Sequence, residues 1–398
     1  LKLEDAVKNN VIVKYKDGKG AVALKEVGNS TSFELEFKNY GDKAVTYNLK
    51  NEQVYGESAD SEGLIHEVVL DGSTAKFNKE SVTVGAGETA TVKVTLNISD
   101  KEKIDRFVEG YLNFESTDES APSLSVPFMG FYGDWSRENI VDTPNYEDSD
   151  SILGVSGLVS KNHTLYGTFV KGGQEYVDKD KTGFSPNGDG VKDSVLPALY
   201  LLRNAKEMKV EVLDGEGNVI RELYNDTNVR KNVLEDGINP NYFNAASWDG
   251  TLYDSSTGKY IKAEDGQYTV RVTTKVALEG AREQTLDLPV KIDTQAPTVN
   301  IKGVEKYTDD NNESHFKLSW EAKDNENGSD ITPVYEASVN GQVVNLDTSD
   351  VTEVDGVYSA DIPFVDGEVN DISIAVSDNA GNITTAEKKE KAKYQVNY

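Results

Sequence analysis

The stretch DKDKTGFSPNGDGVKDS, residues 178–194, crowds four aspartates, an asparagine and three glycines into a segment with no helical or strand periodicity. That set of residues suits a hard cation. Calcium takes about six to eight oxygens from carboxylates, side-chain amides and backbone carbonyls of a tightly curled loop. Asn187, Asp189 and Asp193 alternate as ligand candidates, and Gly188 and Gly190 permit the sharp turns between them. Val191 offers a backbone carbonyl, and Asp178 and Asp180 can swing in from upstream. The EF-hand pattern is not met, because no Glu closes the loop and no helix precedes it. The alternative is an acidic Gly turn leading into a strand. Crowded carboxylates repel one another unless a cation or water screens them, which favours Ca²⁺ as a structural ion here.

A second acidic pair of segments is DNENGSD (324–330) and SDNAGN (377–382). Loops at one end of a β-sandwich converge, so Asp324, Asn325, Asp330 and Asp378 either share an ion or are ordinary turn residues, which Asn, Asp and Gly also favour.

Other chemistry is hard to find. His66, His163 and His315 lie in separate parts of the chain, on strands or in turns. No G-x-S-x-G, H-E-x-x-H, P-loop or Rossmann glycine pattern occurs. The absence of cysteine excludes disulfides, thiolate zinc sites and Cys nucleophiles. The chain by itself reads as no enzyme. With 41 basic against 69 acidic residues the net charge is −28, which argues against nucleic acid and anionic membrane surfaces as partners. No apolar run is long enough to span a membrane. The chain opens at Leu1 and reads as a piece of a longer protein.

The elements that must position these residues are strands. TSFELEFKNY (31–40) sets Phe33, Leu35 and Phe37 against Glu34, Glu36 and Lys38, and TATVKVTLNI (89–98) does the same with Val92, Val94 and Leu96. MKVEVLD (208–214), QYTVRVTTKV (267–276), HFKLSWEAKD (315–324) and DISIAVSD (371–378) follow the same period. Turn signals fall at Asp17-Gly18, Asp71-Gly72, Asp214-Gly215, Asn340-Gly341 and Asp355-Gly356. Only SDKEKIDRFVEG (99–110) reads as helix, with Ser99 or Asp100 as cap and Gly110 as stop. Trp248 in WDG and Tyr268 in DGQY read as core residues of a hairpin-bearing scaffold.

The fold class is all-β, with three tandem fibronectin III or Ig-like sandwich modules at 1–145, 146–294 and 295–398. The first boundary is the polar stretch DTPNYEDSDS (142–151), and the second is KIDTQAPTVN (291–300).

GFSPNGDGVKDSVLPALYLLRNAKEMKVEVLDGEGNVI (183–220), WDG (248–250) and DGQYTVRV (265–272) resemble the second fibronectin-type region of cell-envelope subtilisin-like proteinases, the family of streptococcal C5a peptidase and lactocepin. VEGYLNFES and LSVPFMGFYGDW are similar to the first fibronectin-like module of that family, and DTQAPTVNI more weakly to the third. The resemblance implies a non-catalytic portion of a secreted or wall-attached serine endopeptidase of Gram-positive bacteria. An upstream catalytic domain with an Asp–His–Ser triad would then be its partner, and a protein substrate or host receptor a further one. The modules would act as spacer and exosite platform in a virulence-type surface protein. No RGD sequence is present to bind integrin. The alternative is an adhesin or stalk fragment of Ig-like modules.

Overall fold

The computed structural model describes residues 7–144, 146, 151–171, 174–346 and 349–394. It is nearly all-β, 57% strand against 3% helix, and divides into two compact units, Leu1–Glu138 and Asn139–Tyr398.

In the first unit the alternation places Phe33, Leu35 and Phe37 in the core and leaves Glu34 and Glu36 in water. Ser30–Asn39 pairs antiparallel with Thr89–Asn97, setting Leu35 opposite Val92 and Phe33 opposite Val94. From there the sheet passes through Ile65–Phe77, Glu52–Ala59, Arg106–Ser116 and Leu124–Tyr132 to Val22–Val27, which runs parallel to its neighbour. Val45–Leu49 adds to Arg106–Ser116. One apolar core results, centred on Phe37 and Phe114, whose rings meet edge-on at 4.9 Å.

Two local expectations are corrected here. Residues 99–110 form no helix; turns lead into the strand Arg106–Ser116. Val108, Gly110, Leu112 and Phe114 alternate inward along that strand, and this period-two burial overrides the charged, helix-favouring start. Asp71-Gly72 is not a hairpin turn but a bulge inside Ile65–Phe77. The register there jumps from Gln53 opposite Thr74 to Tyr55 opposite Val69, with Gly72 at φ 79°. The bulge lets one strand pair with Glu52–Ala59 at one end and Thr89–Asn97 at the other. The I′-type signals Asn340-Gly341 and Asp355-Gly356 do form turns, with both residues of each pair at positive φ.

Among the described residues the second unit holds two large apolar cores and a small satellite of Val159, Leu196 and Ala198. In the first of them Val219–Val229, Ala205–Leu213, Gly266–Lys275 and Gln284–Ile292 form a sheet that ends in the short parallel strand Gly183–Phe184. A smaller sheet, Gly157–Val159, Leu196–Leu199 and Asn241–Tyr242, belongs to the same module. Trp248 is 0% exposed between Phe184 and Tyr268. Ile140 and Val141 already pack into this core, and the amide of Asp142 donates to Tyr200 O. The division between the two units falls at 138/139. Of the expected linker 142–151, residues 145 and 147–150 lie outside the described residues, while Asp142 accepts the amides of Ile152, Leu153 and Gly154.

The other core belongs to a sandwich. One sheet runs Thr352–Val354, Val357–Asp361, Ser314–Lys323, Thr298–Thr308, Lys393–Tyr394; the facing one runs Gln342–Leu346, Ile331–Val339, Asn370–Asp378, Ile383–Glu390. Trp320 is its largest buried side chain.

Gly183 marks the place where these two modules meet. A Cβ there would stand 2.9 Å from Ser329 Cβ and 3.2 Å from the Ala380 amide nitrogen. Gly183→Val is therefore expected to cost about 1–3 kcal/mol by overpacking. Chemical denaturation of the chain reads this directly, and a neutral result would show that the joint yields freely.

Candidate metal centre

Three aspartates converge where the second module passes into the third. Asp293 follows the strand Gln284–Ile292, Asp324 follows Ser314–Lys323, and Asp378 ends Asn370–Asp378. One carboxylate oxygen from each lies within 4.8 Å of the others. Asp293 and Asp378 are 0% and 1% exposed, and Asp324 is partly buried.

Strand ends and tight Asn/Asp turns place them, and neutral donors hold them. Asp293 accepts Gln295 N–H and Asn325 Nδ2 on one oxygen and both Ser329 N–H and Ser329 Oγ on the other. Asp378 accepts the backbone amide and the Nδ2 of Asn382, whose Nδ2 also donates to Asp293 O. Asp324 Oδ1 accepts Asn325 N–H, whereas its Oδ2 is buried with no hydrogen-bond partner among the described residues.

No Lys or Arg among the described residues forms an ion pair with any of the three. The nearby cations donate to carbonyls instead, Lys192 Nζ to Asn379 O and Lys291 Nζ to Gly328 O, each at 2.7 Å. Two like charges no more than 4.8 Å apart repel by at least about 3.5 kcal/mol at an effective dielectric constant of about 20. Burial pushes the Asp378 carboxyl up to about 7; the Asn382 hydrogen bonds oppose that shift, and the charges of Asp293 and Asp324 add to it. Asp324 is raised as well, chiefly by burial and further by the charge of Asp293. Burial lowers the pKa of Lys192, and attraction to Asp378 works against that.

Of the residues expected to share an ion, Asp324 and Asp378 are brought together. Asn325 acts as a donor to its neighbours, and Asp330 offers its backbone carbonyl to the amide and Nδ2 of Asn379. The sequence reading missed Asp293. Its signal is an aspartate between the last strand of one module and the Ala-Pro entry to the next, inside the boundary stretch KIDTQAPTVN.

The 178–193 segment folds differently. Asp178 caps the short helix Lys179–Lys181 by accepting the amide of Asp180, which is itself exposed. Asn187 and Asp189 exchange hydrogen bonds, and Asp189 accepts the amide of Val191. Asp193 accepts the amides of Gly188 and Gly190. The pKa of Asp189 is lowered, first by the Val191 amide and then by the Asn187 amide group. Among the described residues no three carboxylates of this segment gather as the junction aspartates do. The tip of the loop packs toward the third module, where a Cβ on Gly381 would stand 3.0 Å from Val191 Cγ1.

A further group, Asp309, Glu313 and His315, sits at the turn joining Thr298–Thr308 to Ser314–Lys323 and is more exposed. His315 Nε2 lies 3.4 Å from Asp309 Oδ2. The other histidines are placed singly: His66 beside Asp60 at 2.7 Å, and His163 stacked on Tyr242 at 3.7 Å.

Residues 22–129 match the family model described as an Fn3-like domain. The PI-type proteinase of Lactococcus lactis subsp. cremoris is 33% identical to this chain over 402 aligned residues, covering 95% of this chain and 21% of that protein. The chain is homologous to one segment of the lactococcal cell-envelope proteinases. The PII-type proteinase of Lacticaseibacillus paracasei matches to the same extent, 33% over 95% of the chain. C5a peptidase of Streptococcus pyogenes is 23% identical over 92% of this chain and 39% of its own length. The chain spans about a fifth of the length of the lactococcal relatives. The Fn3-like match fits the β-sandwich modules expected from strand alternation.

Proposed function

We propose that this chain is a non-catalytic accessory region of a secreted or cell-wall-attached subtilisin-like serine proteinase. Its modules act as a spacer and as an exosite platform for the protein substrate, and calcium stiffens them. The observation that carries this reading is the match to proteinases over 95% of the chain but only 21% of the relative. The all-β modules and the close joint between the second and third support a rigid spacer rather than a flexible tether.

The test is made on the parent protein. Removing residues 139–398 should leave cleavage of a short chromogenic peptide nearly unchanged and slow cleavage of a large protein substrate by about tenfold, the scale on which remote binding energy is lost. Equal slowing of both substrates would overturn the exosite role. A parent sequence with no upstream serine proteinase domain would overturn the accessory reading altogether.

A further inference from the structure

We propose that Asp293, Asp324 and Asp378 together hold one calcium ion, and that this ion locks the second module to the third. The inference rests on the reading above only in taking calcium as the ion.

Two buried oxygens without partners, one on the acidic cluster and one beside it, point to a ligand. Asp324 Oδ2, on one of the three converging carboxylates, is buried without a hydrogen-bond partner among the described residues. Ser185 is 1% exposed, and its Oγ also has no partner. Gly183–Phe184 pairs in parallel with Lys291 and Ile292, and Phe184 O accepts the Asp293 amide, so Ser185 lies alongside Asp293. Strand alternation sets the Ser185 side chain on the side where Gly183 meets Ser329 and Ala380, the residues that surround the aspartates. Two oxygens without partners, Asp324 Oδ2 and Ser185 Oγ, thus lie on the side of the joint where the three carboxylates converge.

The donor set is all oxygen, which selects a hard cation over zinc or copper. Carboxylates that can bind through one oxygen or two suit the flexible coordination of calcium better than the strict octahedron of magnesium. Asn325, Ser329 and Asn382 orient the carboxylates from outside, as second-sphere partners do in metal sites. The ligands come from both modules: Asp293 from the exit of the second, Asp324 and Asp378 from neighbouring loops of the third. An ion shared by all three fixes the angle between modules, and without it the buried charges push the joint apart.

The test uses the whole 398-residue chain, with calcium alone as the probe. Isothermal titration should show one site, and Asp324→Asn and Asp378→Asn should each weaken it by at least about tenfold. Asp189→Asn should leave it intact. Calcium should slow proteolysis within 293–297 in the parent chain and in Asp189→Asn, but not in the junction variants. In chelator the Asp378→Asn variant should melt no lower than the parent, which separates a lost ligand from a misfolded module. If Asp189→Asn abolishes binding and the junction variants do not, the junction site is overturned while the calcium reading stands. If the parent chain binds no calcium, both fall.

Discussion

Trp248→Ala is expected to remove about 3–5 kcal/mol of stability, the usual cost of truncating a buried aromatic to a methyl group. A domain is stable by roughly 5–15 kcal/mol, so the second module should be largely unfolded at physiological temperature or close to it. The indole is fully buried between the rings of Phe184 and Tyr268, at 5.3 and 5.2 Å. Its Nε1 donates to Thr251 O, and its backbone exchanges two hydrogen bonds with Val195. Thr251 in turn donates to Asp249, and Gly250 passes against Pro186 at a positive φ. Truncation would therefore open a cavity and also release the turn that carries the following strand. Calorimetry should show the second-module transition lowered while that of the first unit is unchanged. A loss below about 1 kcal/mol would mean that neighbouring residues collapse into the space.

The second large effect concerns pH. In chelator, stability should fall as pH rises from about 4 to about 7. Asp378 has its folded pKa pushed up to about 7 from 3.8. Between these values the native state keeps a proton that the unfolded chain has released, so rising pH favours unfolding. Asp324 adds in the same direction. Carboxylates with lowered pKa act in a different window. Asp254, held at about 2 by Ser256 and Thr257, together with Asp189 and Asp309, contributes stability that is present above pH 4 and lost on acidification below it. The chelated chain should thus melt highest near pH 4 to 5. General repulsion at a net charge of −28 also grows with pH, so Asp378→Asn is the decisive comparison. It should flatten the slope between about pH 4 and 7. A slope unchanged in that variant would assign the effect to overall charge.

Strand existence was legible wherever one face is buried. Phe33, Leu35 and Phe37 against Glu34 and Glu36 leave only one register that keeps the acids in water. Asn340-Gly341 and Asp355-Gly356 were equally plain, because few residue pairs accept two positive φ angles in succession. Residues 99–110 were misread because charge and capping signals are local, whereas the inward row Val108, Leu112 and Phe114 belongs to a sheet built from distant strands. Asp71-Gly72 was misread for a related reason: the same dipeptide makes a turn or a bulge depending on what pairs on either side.

The acidic residues divide in the same way. By itself the sequence determined an all-β chain of sandwich modules, the absence of thiol chemistry and the acidic, glycine-rich turns, because composition and period-two burial act residue by residue. Which aspartates meet was decided only in three dimensions. The densest cluster in sequence, Asp189 and Asp193 with Asn187, is satisfied by its own backbone amides. Asp293, Asp324 and Asp378 lie far apart along the chain, yet their carboxylates meet because three strands end at the same joint. Carboxylate proximity is a property of strand pairing and module packing, and no local pattern encodes it.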